Sequence, residues 1–405
     1  MDVHASPAKL PELQEFLGAF QVRFRRPEGR AALERYTTGL LTELPNKNGD
    51  TIAQAVPGIS AQRVQEFLTN MQWDEEDVNR QRVQKMIAEA TTGDGVLVFD
   101  DTGFAKRGTA SVGVARQYSG TLGKVGNCQI AVTCCYSDLR VTWPVAVRVY
   151  LPKSWADDPA RRRQTRVPPA VAFQTKPEIA LALLDQARAW GVPHRCVVAD
   201  ADYGDNPNFL AGLEARQEPY VVAVRTDFPV RVGGAATSPV WRADELLQSV
   251  PRWQWRTVRW RRGTKGWLRK KFVAVRGWRV RRDEHGHEGW LLGERAARGQ
   301  PEEPKYYWSN LPASASLEEL AGYAHRRHAI EQFHEEAKGE LGWDQYQGRL
   351  WVGFHRHAVT VMLAYSFLVW LEQRQRRHHT RQGRRCDLFP PSAEPQAQDT
   401  PSRAS

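Results

Sequence analysis

Cysteine is scarce in this chain: five in 405 residues (Cys128, Cys134, Cys135, Cys196 and Cys386), with no C-x-x-C pair. That disfavours a disulfide framework or a cysteine zinc site and suits buried thiols in a reducing compartment. Long apolar runs are missing as well. "IALALL" and "VTVMLAYSFLVWL" are too short or too interrupted for a bilayer span, which takes about 20 apolar residues. The opening "MDVHASPAKLPELQEF" lacks a basic-then-apolar pattern, so no secretory signal, no membrane partner and a cytoplasmic location are expected. The pairs His325/His328 and His355/His357 form no H-E-x-x-H arrangement and alternate with strong bases, which disfavours histidine-based zinc chemistry. No internal repeat is evident.

Positive charge is in excess. The formal net charge is +11, from 57 Lys+Arg against 46 Asp+Glu, which favours a polyanionic partner. Its placement is more telling than its sum. Between Pro251 and Arg282 stand thirteen Lys/Arg, no acid and five tryptophans, so this segment alone outweighs the net charge of the whole chain. Alternation in "WQWRTVRWRR" predicts strands that bury one face and offer the other to DNA. Arg256, Arg259, Arg261, Lys270 and Trp260 are the candidate contacts. "RRRQTR", Arg161–Arg166, is either a second phosphate contact or a surface loop.

The texture changes along the chain. Residues 1–92 read as helical, with Ser60 as an N-cap; they would suit DNA-end binding or dimerisation, although no helix-turn-helix signature stands out. From 93 to 225 come three strand-like segments (Val96–Phe99, Cys128–Tyr136, Val141–Tyr150), a helix closed by Gly191, a strand "RCVVAD", a short helix and a strand "YVVAVRT". That is an α/β layout, an antiparallel meander leading into parallel crossovers, in the strand order of a ribonuclease H-like mixed sheet flanked by helices. Residues 226–310 read as a mostly β insertion, 311–376 as returning helices of the core, and 377–405 as a disordered tail.

Three acidic positions carry the chemistry. Asp100–Asp101 directly follow the apolar strand "VLVF", and Asp200 follows "CVVA", with Asp202 and Asp205 close behind. Acids at the ends of neighbouring strands converge on one sheet edge, where ligands of such sheets sit; singly, each also suits a turn or a helix cap. On the later helix Arg327, Glu331, Glu335 and Lys338, spaced four, four and three, share one face. Alone this is an ordinary ion-pair ladder. With the two aspartate sites it suggests an oxygen cage for Mg²⁺ or Mn²⁺, two ions being expected for phosphodiester displacement.

"VLVFDDTGFAKRGTASVGVARQYSGTLGKVGNCQIAV", "LPKSWADDP", "VVADADYGDNPNF" and "HAIEQFHEEAKGELGWDQYQGRLWVGFHRH" together resemble the DDE transposases of bacterial insertion sequences, over roughly residues 15–372. The nearest branch has a D-x-T-G-F first motif. The resemblance implies a ribonuclease H-like catalytic domain with a β insertion between the second Asp and the Glu. It makes Asp100, Asp200 and Glu331 the catalytic metal ligands, with Asp101 and Asp202 as second candidates. Arg327-x3-Glu331-x6-Lys338 reproduces the spacing of the family's Tyr-Arg-Glu-Lys signature, but Tyr323 stands one residue too early and position 324 is Ala. Arg327 and Lys338, with Lys106 of the first motif, are then expected at DNA phosphates. The implied function is binding of the element's ends and metal-dependent cleavage and strand transfer, by a homodimer in a synaptic complex on double-stranded terminal and target DNA. The alternatives are a non-catalytic DNA-binding derivative and a metal-dependent nuclease without strand transfer.

Overall fold

Five helices open the chain: Pro11–Gly18, Pro27–Leu41, Gly49–Ala55, Ala61–Thr69 and Glu75–Ala90. Their starts are written locally. Ser60 accepts from the Arg63 N–H as foreseen, and Asp74 accepts from Glu76 and Asp77 N–H, each satisfying amides the helix leaves unpaired. The structure, a computed structural model, describes residues 10–233, 237–263, 266–281, 284–296 and 303–381. Much of the expected tail (382–405) and residues 1–9 lie outside these. The final helix, Trp351–Arg381, runs past the expected boundary at 376.

The N-terminal helices pack around that final helix. Phe16 meets Phe367 and Trp370, and the Tyr36 hydroxyl bonds His357 Nδ1 at 2.8 Å. His355 and His357 are both buried, and Cys128, Cys134, Cys135 and Cys196 are buried free thiols. Among the described residues no helix is long and apolar enough to cross a membrane.

The core begins with β1 (Val96–Ala105), β2 (Ala115–Ser119), β3 (Lys124–Ser137) and β4 (Thr142–Val149). β1 pairs antiparallel with β3, whose far edge carries β2 at one end and β4 at the other. Helix Lys176–Ala189 ends at Trp190, with Gly191 in the left-handed region (φ 73°), the termination foreseen. It leads to β5 (Val197–Ala199), which pairs parallel with β1, and then β6 (Tyr220–Val224), parallel to β5. The order β4-β3-β1-β5-β6, antiparallel then parallel, is the ribonuclease H-like arrangement.

The insertion does not stand apart. β7 (Pro229–Arg231), β8 (Val240–Arg242), β9 (Arg256–Gly263), β10 (Gly266–Arg281), β11 (Glu284–Arg295) and β12 (Lys305–Ser309) extend the same sheet, because β12 pairs antiparallel with β6. A buried ion pair, Arg279 to Glu214 at 2.6 Å, ties β10 to helix Pro207–Ala215. The "RRRQTR" run is mostly helix rather than loop: Asp158 caps Pro159–Gln164.

Alternation along β1 divides the core into two layers. Val96 and Val98 join the layer containing Ile330 and Phe333 of helix His328–Gly339, while Leu97 and Phe99 face Ile179, Leu183 and Leu184 of helix Lys176–Ala189. The first acidic site thus lies between two helical layers.

Gly204 closes the short helix Ala201–Gly204 directly upon β6: a Cβ there would come within 1.9 Å of the Ala223 carbonyl oxygen. Gly204→Ala is expected to destabilise the protein by about 1–3 kcal/mol or more through backbone overpacking. Calorimetry should show a lower melting midpoint; an unchanged one would contradict this packing.

Candidate active site

Phe99 and Ala199 are partners across the parallel β1–β5 pair, so the next residues, Asp100 and Asp200, stand side by side. Neighbouring strands are only about 4.8 Å apart. Asp100 accepts from the Asp101 N–H at 2.8 Å, and Asp200 caps its short helix by accepting from Asp202 and Tyr203 N–H. Burial, then Asp200 and Asp101, push the Asp100 carboxyl up to about 8, against the pull of Arg327. Burial and Asp202 push Asp200 up to about 6, again against Arg327. Two half-buried acids that resist ionising together are a donor set a divalent cation would relieve.

The second candidates point elsewhere. Asp101 follows Leu97 and Phe99 onto the opposite face, where it pairs with Lys176 at 2.8 Å. Asp202 is exposed and pairs with Arg225 at 3.0 Å, and Asp205 meets the same guanidinium at 3.3 Å.

The later helix is split. Leu317–Ala324 is followed by a 3₁₀ turn, His325–Arg327, and then by His328–Gly339. Two bonds fasten the last segment over β1. The Thr133 hydroxyl donates to the Asp100 carbonyl at 3.0 Å and lies 2.8 Å from His334 Nε2. Its oxygen must therefore accept from the Nε2–H tautomer. Burial, then Lys338, bring His334 down to about 3, so it is neutral. Lys338 Nζ donates to the Gly103 carbonyl and the Thr121 hydroxyl, both at 3.0 Å. Gly103 itself packs against the end of β2, where a Cβ would meet Ser119 Oγ at 2.0 Å. Burial lowers Lys338 to about 8.

Glu331 is partly exposed and is held by Arg327 and by His328 Nδ1, the latter at 3.1 Å. Among the described residues, no three His, Cys, Asp or Glu side chains are grouped to hold one ion. The expected trio is thus half gathered: two aspartates stand together, and the glutamate is linked to them through Arg327, whose charge reaches both.

Several expected DNA contacts have partners inside the protein. Lys106 is buried and donates to the Tyr346 carbonyl, so it is not a surface cation. Lys270 pairs at 2.5 Å with Glu294, which is only 1% exposed. Trp260 lies flat against His325, with ring centroids 3.8 Å apart. Arg256 pairs with Glu318 at 3.2 Å but remains exposed, as do Arg259 and Arg261. Trp253 and Trp267 are 80% and 56% exposed, while Trp255 and Val258 point inward. Alternation holds from Val258 to Arg261, with Val258 and Trp260 on the inner side and Arg259 and Arg261 outward, while Trp255 is buried just before the strand.

The aspartate pair has a consequence for pH. Asp100 and Asp200 are held at about 8 and about 6, against an ordinary 3.8, so over that interval the folded chain binds more protons than the unfolded one. Their contribution is fully present below the unfolded pKa and is lost as pH rises through the folded values. Buried His334, His355 and His357, all held below the ordinary 6.5, contribute the opposite slope. The informative quantity is therefore a difference. In chelator, the melting midpoint of the parent protein is expected to fall relative to that of Asp100→Asn as pH rises from about 4 to about 8. Parallel curves would contradict the pairing.

A family profile described as "DDE superfamily endonuclease" matches residues 19–267, and one described as "Transposase DDE domain" matches 174–367. The probable transposase for insertion sequence element IS701 of Microchaete diplosiphon is 30% identical over 195 residues, 48% of this chain and 48% of that protein. The match thus spans about half the length of that curated relative. The NurA nuclease from Sulfolobus solfataricus overlays with a TM-score of 0.27 at 10% identity, covering 66% of this chain and 93% of that one, too loosely to bear on the fold. With the first profile covering more than half of the residues, the chain belongs to the DDE superfamily of endonucleases.

Proposed function

We propose that this chain binds the ends of its element and catalyses DNA strand cleavage and strand transfer, with Asp100, Asp200 and Glu331 holding Mg²⁺ or Mn²⁺. The observation that carries this reading is the half-buried, mutually repelling pair Asp100–Asp200, beneath a helix whose Glu331 is one guanidinium away. When bound, a pair of such ions supplies the Lewis acidity that activates an attacking oxygen and stabilises a leaving one. Asp100 and Asp200 would provide the fixed oxygen ligands. Glu331 would complete the set by exchanging Arg327 and His328 for the metal. Arg327, so released, becomes a charge-assisted donor to a phosphate beside the scissile bond. Lys338 acts through position, keeping the helix on β1 and a positive charge close to Asp100.

Water would attack at the element boundary, and the freed 3′-hydroxyl would attack target DNA, both by in-line displacement. Joining two ends at one target implies a homodimer or larger synapse. Arg259 and Arg261 on the outer face of β9, with exposed Arg256 at its start and Arg269 on β10, would track the duplex backbone, and Trp253 and Trp267 have free area to stack on unpaired bases. One observation favours a second reading, a DNA-binding protein without cleavage: Glu331 is engaged by Arg327 and His328 rather than grouped with the aspartates.

Incubation with a labelled terminal-repeat duplex, a target plasmid and Mg²⁺ or Mn²⁺ distinguishes these readings. Joined product is expected. Nicking without joining would indicate a nuclease only, and binding without nicking the second reading. Glu331→Gln is expected to reduce cleavage more than about 100-fold, beyond the usual cost of losing a residue that only supports a ligand, while duplex affinity stays within about threefold. Normal cleavage by that variant would remove Glu331 from the ligand set. Replacing Arg259 and Arg261 together with Ala is expected to weaken binding to all duplexes alike and to lower the salt slope by about 2; an unchanged slope would place the DNA elsewhere.

A further inference from the structure

We propose that His325 is a positioning residue through which the basic insertion sets where Glu331 stands relative to Asp100 and Asp200; this rests on Glu331 being the third metal ligand. Family resemblance gives His325 no role, and its ring touches neither aspartate. Its surroundings come from four strands of the insertion. Trp260 of β9 lies flat on the imidazole, with centroids 3.8 Å apart and planes 14° apart, and Phe272 of β10 meets it edge-on at 5.8 Å. His325 Nε2 is 3.0 Å from Glu294 Oε2 of β11, in ion-pair rather than in-line hydrogen-bond geometry. Glu294 is fixed in turn by Lys270 Nζ at 2.5 Å and by the Tyr307 hydroxyl of β12 at 2.8 Å. Burial raises the Glu294 carboxyl, but these cationic and hydroxyl partners outweigh burial and bring it down to about 2, so it is a fixed anion.

The place of His325 in the chain gives the cluster its consequence. His325 opens the 3₁₀ turn that breaks the helix, and the three residues of that turn go three ways. His325 enters the insertion, Arg326 donates to the Asp94 carbonyl just before β1 at 2.8 Å, and Arg327 holds Glu331. A mid-helix 3₁₀ turn is a point where helix direction can change. Glu331 follows six residues later, in the first turn of the helix that this 3₁₀ turn aims. Metal coordination tolerates errors of only about 0.2 Å, so a small displacement of His325 moves a carboxylate in or out of ligand range. Trp260 and His325 therefore join the strand bearing Arg259 and Arg261 to the site, and the ring of Trp260 is committed to that joint rather than to a nucleobase.

The test is Mn²⁺ binding, read by electron paramagnetic resonance of the free ion on full-length protein with a terminal-repeat duplex present. His325→Ala and Trp260→Ala are each expected to weaken Mn²⁺ binding about tenfold or more, in the range seen when support behind a ligand is removed, with duplex affinity within about threefold of the parent. Cleavage by both should recover at high Mn²⁺, a change in metal requirement rather than in maximal rate. Trp260→Phe keeps the stacking and should restore near-parental Mn²⁺ affinity even if an alanine variant fails to fold. Parental Mn²⁺ affinity in the alanine variants overturns the proposal, as does loss of cleavage that no Mn²⁺ concentration restores, or a Trp260→Phe variant as weak as Trp260→Ala. Glu331→Gln separates the two layers. If it binds Mn²⁺ and cleaves normally, the ligand reading itself has failed; if it is inactive while His325→Ala binds Mn²⁺ normally, only the role of His325 has.

Discussion

Parallel pairing of β1 with β5 sets two carboxylates beside each other in a buried place, and the rest of the structure answers to that repulsion. Among the described residues, neither Asp100 nor Asp200 is neutralised by a direct ion pair of its own. Each keeps a backbone amide bond and feels Arg327 from a distance, which leaves both acids above their ordinary range. A fold selected only for stability would place apolar residues at such a position or pair them off. Here the partner that would have been easiest to supply, Lys176, is given to Asp101 on the opposite face.

Above this pair the helix that carries Glu331 is held at three places of different kinds. His334 bonds through Thr133 to the backbone of Asp100, Lys338 bonds the backbone of Gly103, and His325 is gripped by the insertion. The first two tie the helix to the strand that carries the first acid. The third ties it to the basic outer strands. Because β12 adds to β6, the insertion is a continuation of the catalytic sheet, so a load applied at its arginines is borne by the same hydrogen-bonded layer that holds Asp200.

Much of this was legible in the sequence. Apolar runs ending in aspartate marked the strands that lead to both acids, Ser60 and Gly191 marked helix limits, and alternation from Val258 to Arg261 marked the two faces of β9. The period of two could also have separated Asp100 from Asp101, since an extended β1 must send them to opposite sides. The apolar run ends at Phe99, short of both acids, whereas pairing with β3 carries the strand to Ala105. The fates of Lys106, Lys270, Lys338 and Trp260 were not legible. A long cation or an indole can serve DNA or a buried partner equally well, and only the tertiary approach of Tyr346, Glu294, Gly103 and His325 decides between them. The break at His325 was hidden for a similar reason: nothing in "AHRRHAI" breaks a helix, and the turn comes with side chains drawn in three directions.

The most direct measurement is the anomalous signal of Mn²⁺ in crystals grown with a terminal-repeat duplex. The account predicts a manganese peak held by Asp100, Asp200 and Glu331, with Arg327 turned from Glu331 to a phosphate. Manganese bound away from the aspartate pair, or Glu331 still on Arg327 in the metal-loaded complex, would contradict it.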